Sequence, residues 1–178
     1  MTLFISRLLL VLSVSINAFA FEFIDVKQGV NGVDLNIDGR MDYVLLAQYD
    51  NNKSHPNQSI TFYIQKPEGG YSIMPSVVGN EFTYFALSLA GTNEMVNGFS
   101  LLNFNGHVYF ATADKKARSP YDYQKFAYTL YKFMTSDDHP GAPLYSWIKV
   151  DKANSLNEYM SSDESFVELG LHFFKSEY

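Results

Sequence analysis

Apolar and polar positions alternate along most of this chain, so the pattern predicts strands far more often than helices. Phe21 and Phe23 flank Glu22. Asp42 to Tyr49 and Ile60 to Gln65 are runs rich in strand formers. Lys66-Pro67-Glu68-Gly69-Gly70 is a turn, because proline fixes φ and glycine accepts positive φ. Tyr71 to Val78 would return as a hairpin partner, and Phe82 to Leu89 follows before a turn at Gly91-Thr92-Asn93. Phe99 to Phe104 and His107 to Thr112 flank Asn105-Gly106, the strongest hairpin signal in the chain. After a loop at His139-Pro140-Gly141-Ala142-Pro143, Leu144 to Val150 reads as another strand.

Two stretches depart from this pattern. In Ser119 to Met134, Ser119-Pro120 could cap a helix carrying Tyr123, Phe126, Ala127, Leu130, Tyr131 and Met134 on one face. Residues Phe126 to Phe133 are nevertheless strand formers, and a strand is the expectation for the second half. Ser162 to Leu169 is the one clear helix, with Ser162 as N-cap, Asp163 and Glu164 in the first turn and Gly170 as its stop. The expected fold is mainly β, a sandwich or a highly curved antiparallel sheet with one short C-terminal helix. With no repeat and no linker, residues 21–178 form one β-rich domain.

The first twenty residues follow a different logic. Arg7 precedes an apolar run from Leu8 to Leu12, and Ala18-Phe19-Ala20 presents small residues to a signal peptidase. The run is shorter than the roughly 20 residues of a membrane span. Residues 1–20 are therefore expected to be a cleaved signal peptide, with a mature chain beginning at Phe21 in the periplasm. No later stretch is apolar enough to span a bilayer. The chain has no cysteine, so neither disulfides nor a lipidated cysteine can hold it. Its core must do so, and 47% hydrophobic residues, with 16% aromatic, supply the material. A formal net charge of −6 gives no electrostatic reason to bind nucleic acid or an anionic membrane. Nothing in the chain specifies an oligomeric state.

Asp34-Leu35-Asn36-Ile37-Asp38-Gly39-Arg40-Met41-Asp42 is the candidate metal loop. Oxygen side chains stand at its first, third, fifth and ninth positions. The Arg40 carbonyl is at the seventh, and Gly39 permits the sharp turn. Ca²⁺ takes about six to eight oxygens, and alternate side chains on a tight loop can supply them. Leu45 stands where an EF-hand places its bidentate Glu, so the loop is a shorter type. The alternative is a metal-free hairpin turning at Asp38-Gly39. A two-residue turn would oppose Asp42 to Leu35 on the apolar face, a conflict that a longer turn removes. A bound Ca²⁺ would be structural, since no nucleophile lies nearby.

Other chemistry is sparse. His55, His107, His139 and His172 lack metal-ligand spacing. His55 and Asn52 lie in a polar loop between two strands and are weak ligand-binding candidates. Asn52-Lys53-Ser54 and Asn57-Gln58-Ser59 match glycosylation acceptors, a common chance pattern. Ser146-Trp147-Ile148-Lys149 has the S-x-x-K spacing of serine β-lactamases without their companion motifs. On a strand, residues three apart face opposite sides, so the match reads as chance. No catalytic residue is assigned, and the chain is expected not to be an enzyme.

Gly32-Val33-Asp34-Leu35-Asn36-Ile37-Asp38-Gly39, continuing through Asp42-Tyr43-Val44 to the Asn51-Asn52 and Ser54-His55 loop and to Ile60-Thr61-Phe62-Tyr63-Ile64, resembles the opening of the CarG-type carbapenem intrinsic-resistance proteins. The resemblance covers roughly the first third of the mature chain and implies a periplasmic protein that confers tolerance without destroying the drug. The implied partner is a β-lactam or a protein of the cell-wall machinery. Two rival expectations remain: a Ca²⁺-stabilised binding module unrelated to antibiotics, and a hydrolase with a dispersed site.

Overall fold

The pleat explains the architecture, because each strand turns alternate side chains to opposite faces. The computed structural model describes residues 21–50, 57–79, 81–86, 95–116, 122–137 and 140–174. Residues 1–20, Asn52 and His55, residues 91–93, Ser119-Pro120 and His139 lie outside these described residues, and so do the expectations that fall on them. The strands are β1 (Phe21–Ile24), β2 (Gly29–Val33), β3 (Asp42–Tyr49), β4 (Asn57–Gln65) and β5 (Tyr71–Met74), then β6 (Thr83–Ala86), β7 (Met95–Phe104), β8 (His107–Lys116), β9 (Ala127–Thr135) and β10 (Tyr145–Asn154).

They form two antiparallel sheets. Sheet A runs β1-β7-β8-β9-β10, and sheet B runs β2-β3-β4-β5, with β6 sharing the β4 edge beyond β5. Asn105 and Gly106 both take positive φ, 51° and 71°, and join β7 to β8 as the Asn-Gly pair predicts. The Lys66–Gly70 turn closes with a Gly69 N–H to Lys66 carbonyl bond of 3.0 Å. The second half of the ambiguous 119–134 stretch is β9, a strand as expected.

The inner faces of the sheets make the main core. Val44, Ile60, Phe62, Ile64 and Met74 from sheet B meet Leu101, Phe110, Phe133 and Trp147 from sheet A. Phe62 packs edge-on against Phe110 and Trp147, with ring centroids 5.5 and 5.2 Å apart. A second core lies on the far side of sheet A, where Leu102, Ala111, Ala113, Tyr128 and Leu130 pack under Phe166 and Leu169. The molecule thus has three layers: sheet B, sheet A and a C-terminal helical cover.

That cover differs from its expected outline. Ser161, not Ser162, is the N-cap, and its hydroxyl accepts the Glu164 N–H at 3.3 Å. Ser162 is fully buried instead. Helix α1 (Ser162–Ser165) passes through a 3-10 turn (Phe166–Glu168) into α2 (Leu169–Phe173), so Gly170 does not stop it. Burial of Phe166 and Leu169 outweighs the weak helix propensity of glycine, and the bare Gly170 faces the Phe21 ring. Strand β2 also ends early, at Val33, which pairs with Asp42. The intervening residues form a long loop rather than a two-residue turn, and this removes the face conflict between Leu35 and Asp42.

Candidate functional site

The 34–42 loop is built from its own polar groups. Asp34 accepts N–H bonds from Asp38 and Gly39, at 3.1 and 2.9 Å, through its two carboxylate oxygens. The Asn36 Oδ1 accepts the same Asp38 N–H at 3.3 Å, so Asp34, Asn36 and Asp38 gather at one point. The Asp38 carboxylate accepts the Arg40 N–H at 2.8 Å and also binds the Arg40 guanidinium. Burial acts to raise the Asp38 pKa, but the Arg40 N–H, Asn36 and the Arg40 charge outweigh it and hold the group low. Ile37 is turned to φ 59°.

Asp42 stands apart from this group. It is fully buried, and its two oxygens accept the Leu35 and Gln65 N–H groups at 2.9 and 2.8 Å. It ties the loop to β4, while burial pushes its carboxyl pKa up despite those two bonds. Among the described residues no three His, Cys, Asp or Glu side chains are arranged as a metal cluster. The oxygen-rich residues fit a hard cation by chemistry. A cation bound at Asp38 would have to displace Arg40.

A cleft of about 460 Å³ opens where the sheets part near β1. Ile24, Val26, Leu46, Phe99 and Leu101 supply apolar walls, and Gln58 and Ser100 add neutral polar groups. Asp25 and Asp163 complete the lining, and burial pushes the Asp163 carboxyl up. A carboxylate-bearing ligand would meet two like charges here.

The outer face of sheet B holds a shallow concavity of about 520 Å³, lined by Val30, Tyr43, Leu45, Tyr63, Tyr71 and Ile73. Register places Tyr43 opposite Tyr63, and Tyr63 opposite Ile73. The Tyr43 and Tyr71 rings lie 5.0 Å apart, and a hydrogen bond with Tyr43 raises the Tyr71 pKa. The sequence allowed an exposed aromatic patch that binds a ring-shaped ligand or a partner, and did not place it. The alternation in β3 and β4 was legible, but nothing in it showed that the tyrosine side would stay uncovered.

Two other features have structural explanations. His172 lies 3.4 Å from Glu168, whose carboxylate also accepts bonds from Leu156, Asn157 and Tyr159. Lys115 is buried, donates to the Asp122, Tyr159 and Met160 carbonyls, and sits over the Phe126 ring. Ser146 and Lys149 face opposite sides of β10, where they pair with Met134 and Tyr131.

Together these features define a two-sheet antiparallel β protein with a polar loop, an acidic cleft and an aromatic outer face. Residues 26–168 match the family model described as "Carbapenem resistance protein CarG-like", so the chain belongs to the CarG-like family. A solved structure described as the crystal structure of CarG is 41% identical, with a TM-score of 0.75, and the match covers 82% of this chain and 94% of that one. No curated protein matches the chain. Among the described residues no helix is long and apolar enough to cross a membrane.

Proposed function

We propose that this chain is an exported, non-hydrolytic protein that confers tolerance to carbapenem-type β-lactams by binding the drug or a partner in the cell-wall machinery. The observation that carries this reading is the match to the carbapenem resistance family across residues 26–168. The signal-like first twenty residues support action in the periplasm. Expression of the full precursor in a sensitive Gram-negative host is expected to raise carbapenem tolerance, and a version lacking residues 2–20 is not. Drug assayed in the same culture should survive. Drug consumed in step with tolerance would point to a hydrolase instead. Tolerance from neither version would remove the functional reading.

The gathering of Asp34, Asn36 and Asp38 favours a second component, a structural Ca²⁺ in this loop. A ligand that binds only the folded state adds about 2.7 kcal/mol at a hundredfold excess over Kd. Ca²⁺ should raise the melting temperature of the parent and leave Asp38→Ala unmoved. A parent that melts identically in Ca²⁺ and in chelator would show that the loop is held by its hydrogen bonds alone.

A further inference from the structure

We infer that the outer face of sheet B is a glycan platform, on which a neutral polysaccharide strand lies along β4. The inference goes beyond the proposed function, which names no glycan. Its first support is the absence of charge. The outward residues of the central strand β4 are Asn57, Ser59, Thr61, Tyr63 and Gln65, all of them neutral hydroxyls or amides. The outward positions of β2, β3, β5 and β6 are uncharged as well, in a chain with 18% charged residues.

The second support is the placement of the rings. Tyr43 and Tyr71 flank one end of the β4 stripe, beside Tyr63. Tyr49 and Phe85 flank the other end and are 59% and 51% exposed. A sugar ring presents a C–H face that packs on an aromatic ring, and its hydroxyls bond to amides and hydroxyls at the margin. Tyrosine serves both needs, with an apolar body and a polar tip. The nine residues of β4 extend about 27 Å at about 3.4 Å per residue, room for several linked sugars.

The same chemistry argues against other occupants. A carbapenem carries a carboxylate, and no Lys, Arg or His lines this concavity to pair with it. Ser59 donates its hydroxyl to the Ala47 carbonyl and Thr61 bonds to Thr83, so the groups a dry protein interface would cut off from water are the Asn57 and Gln65 amides and the Tyr63 hydroxyl, and burying such groups without partners is unfavourable. A hydrated sugar surface satisfies them.

The test is calorimetric titration of the purified protein with chitohexaose, a neutral strand, and with peptide-free glycan strands from peptidoglycan, which carry a lactyl carboxylate on every second sugar. Chitohexaose should bind, and the anionic strands should bind more weakly. Tyr43→Ala combined with Tyr71→Ala should weaken binding by at least about tenfold, the worth of two lost ring contacts. Gln65→Ala should weaken it less, and Val167→Ala, on the helical cover, should leave it unchanged. Circular dichroism will show that each variant is folded. Failure of the parent to bind chitohexaose at millimolar concentration overturns the inference, as does unchanged affinity in the double variant. A dimer that the tyrosine substitutions dissociate, without glycan binding, would assign the face to a second copy of the chain. A protein that confers tolerance yet binds no glycan sinks this inference alone. One that binds glycan and confers no tolerance sinks the proposed function alone.

Discussion

The outer faces of the two sheets have similar apolar alternation and opposite fates. On sheet A the outward side is covered by the C-terminal helices, and Leu102, Ala111, Ala113 and Tyr128 are buried there. On sheet B no helix among the described residues covers the outward side, and Val30, Ile73 and Phe85 stand exposed. The close approach of the cover is a local matter. The covered face has Ala111, Ala113 and Gly98 where the helix approaches, so there is room for a second layer. The outer face of sheet B instead carries Tyr43 and Tyr71, with ring centroids 5.0 Å apart.

If the cover is held by its polar anchor, losing that anchor should have a large effect. Glu168 is buried and accepts from the Leu156 and Asn157 N–H groups, the Asn157 amide and the Tyr159 hydroxyl. Glu168→Ala leaves several buried donors without an acceptor, at about 1–3 kcal/mol each. The expected loss of about 3 kcal/mol or more is measurable by urea unfolding. A loss under about 1 kcal/mol would mean that apolar packing alone seats the helix.

The same residue makes the cover sensitive to acid. Burial acts to raise the Glu168 pKa, but the Tyr159, Leu156 and Asn157 donors outweigh it and hold the group at about 2. A carboxyl whose folded pKa lies below its unfolded value contributes stability above the unfolded pKa and loses it as pH falls toward the folded one. The parent should therefore lose stability from about pH 4.5 down to about pH 2. Glu168→Gln should flatten that acid limb. Asp42 works in the opposite sense, since its raised pKa makes its ionised form unfavourable in the folded chain. Melting temperatures across this pH range, for the parent and Glu168→Gln, separate the two contributions.

A smaller effect is expected where the helix touches the sheet. A Cβ built on Gly98 would lie 2.1 Å from the Ser162 hydroxyl and 2.6 Å from its Cβ. Gly98→Ala must push α1 away from β7, at about 1–3 kcal/mol for overpacking. The companion change Ser162→Gly should restore part of the loss, and additive losses in a double-mutant cycle would show that the two do not clash.

The strands were legible because their pattern is local. β3 matches its expected run, and the Asn105-Gly106 hairpin follows from backbone preference alone. The helix limits were not legible. Gly170 and Ser162 obey contacts with Phe21 and Gly98, which are distant in sequence. The 34–42 loop was visible through its oxygen spacing. That spacing did not show that Asp42 turns inward to Leu35 and Gln65 while Asp34, Asn36 and Asp38 stay together outside. The tyrosine face was hidden for a related reason. Alternation marks two sides of a strand, and only the tertiary fold decides which side is covered.

The smallest effect should come from the outer face of sheet B. Tyr43 and Tyr71 are 36% and 42% exposed, whereas Tyr128 is buried and donates its hydroxyl to the Ser165 carbonyl at 2.7 Å. Tyr128→Ala removes a core ring and should lose about 3–5 kcal/mol. Tyr43→Ala and Tyr71→Ala should each stay within about 0.5 kcal/mol, as surface changes usually do. Both sets can be read from one series of urea titrations. If the exposed tyrosines proved as important to stability as Tyr128, their contact would be part of the fold, and the face would need no ligand to explain it. If their removal leaves stability intact, large aromatic side chains are being kept in water without benefit to folding, and binding is the remaining physical reason for them.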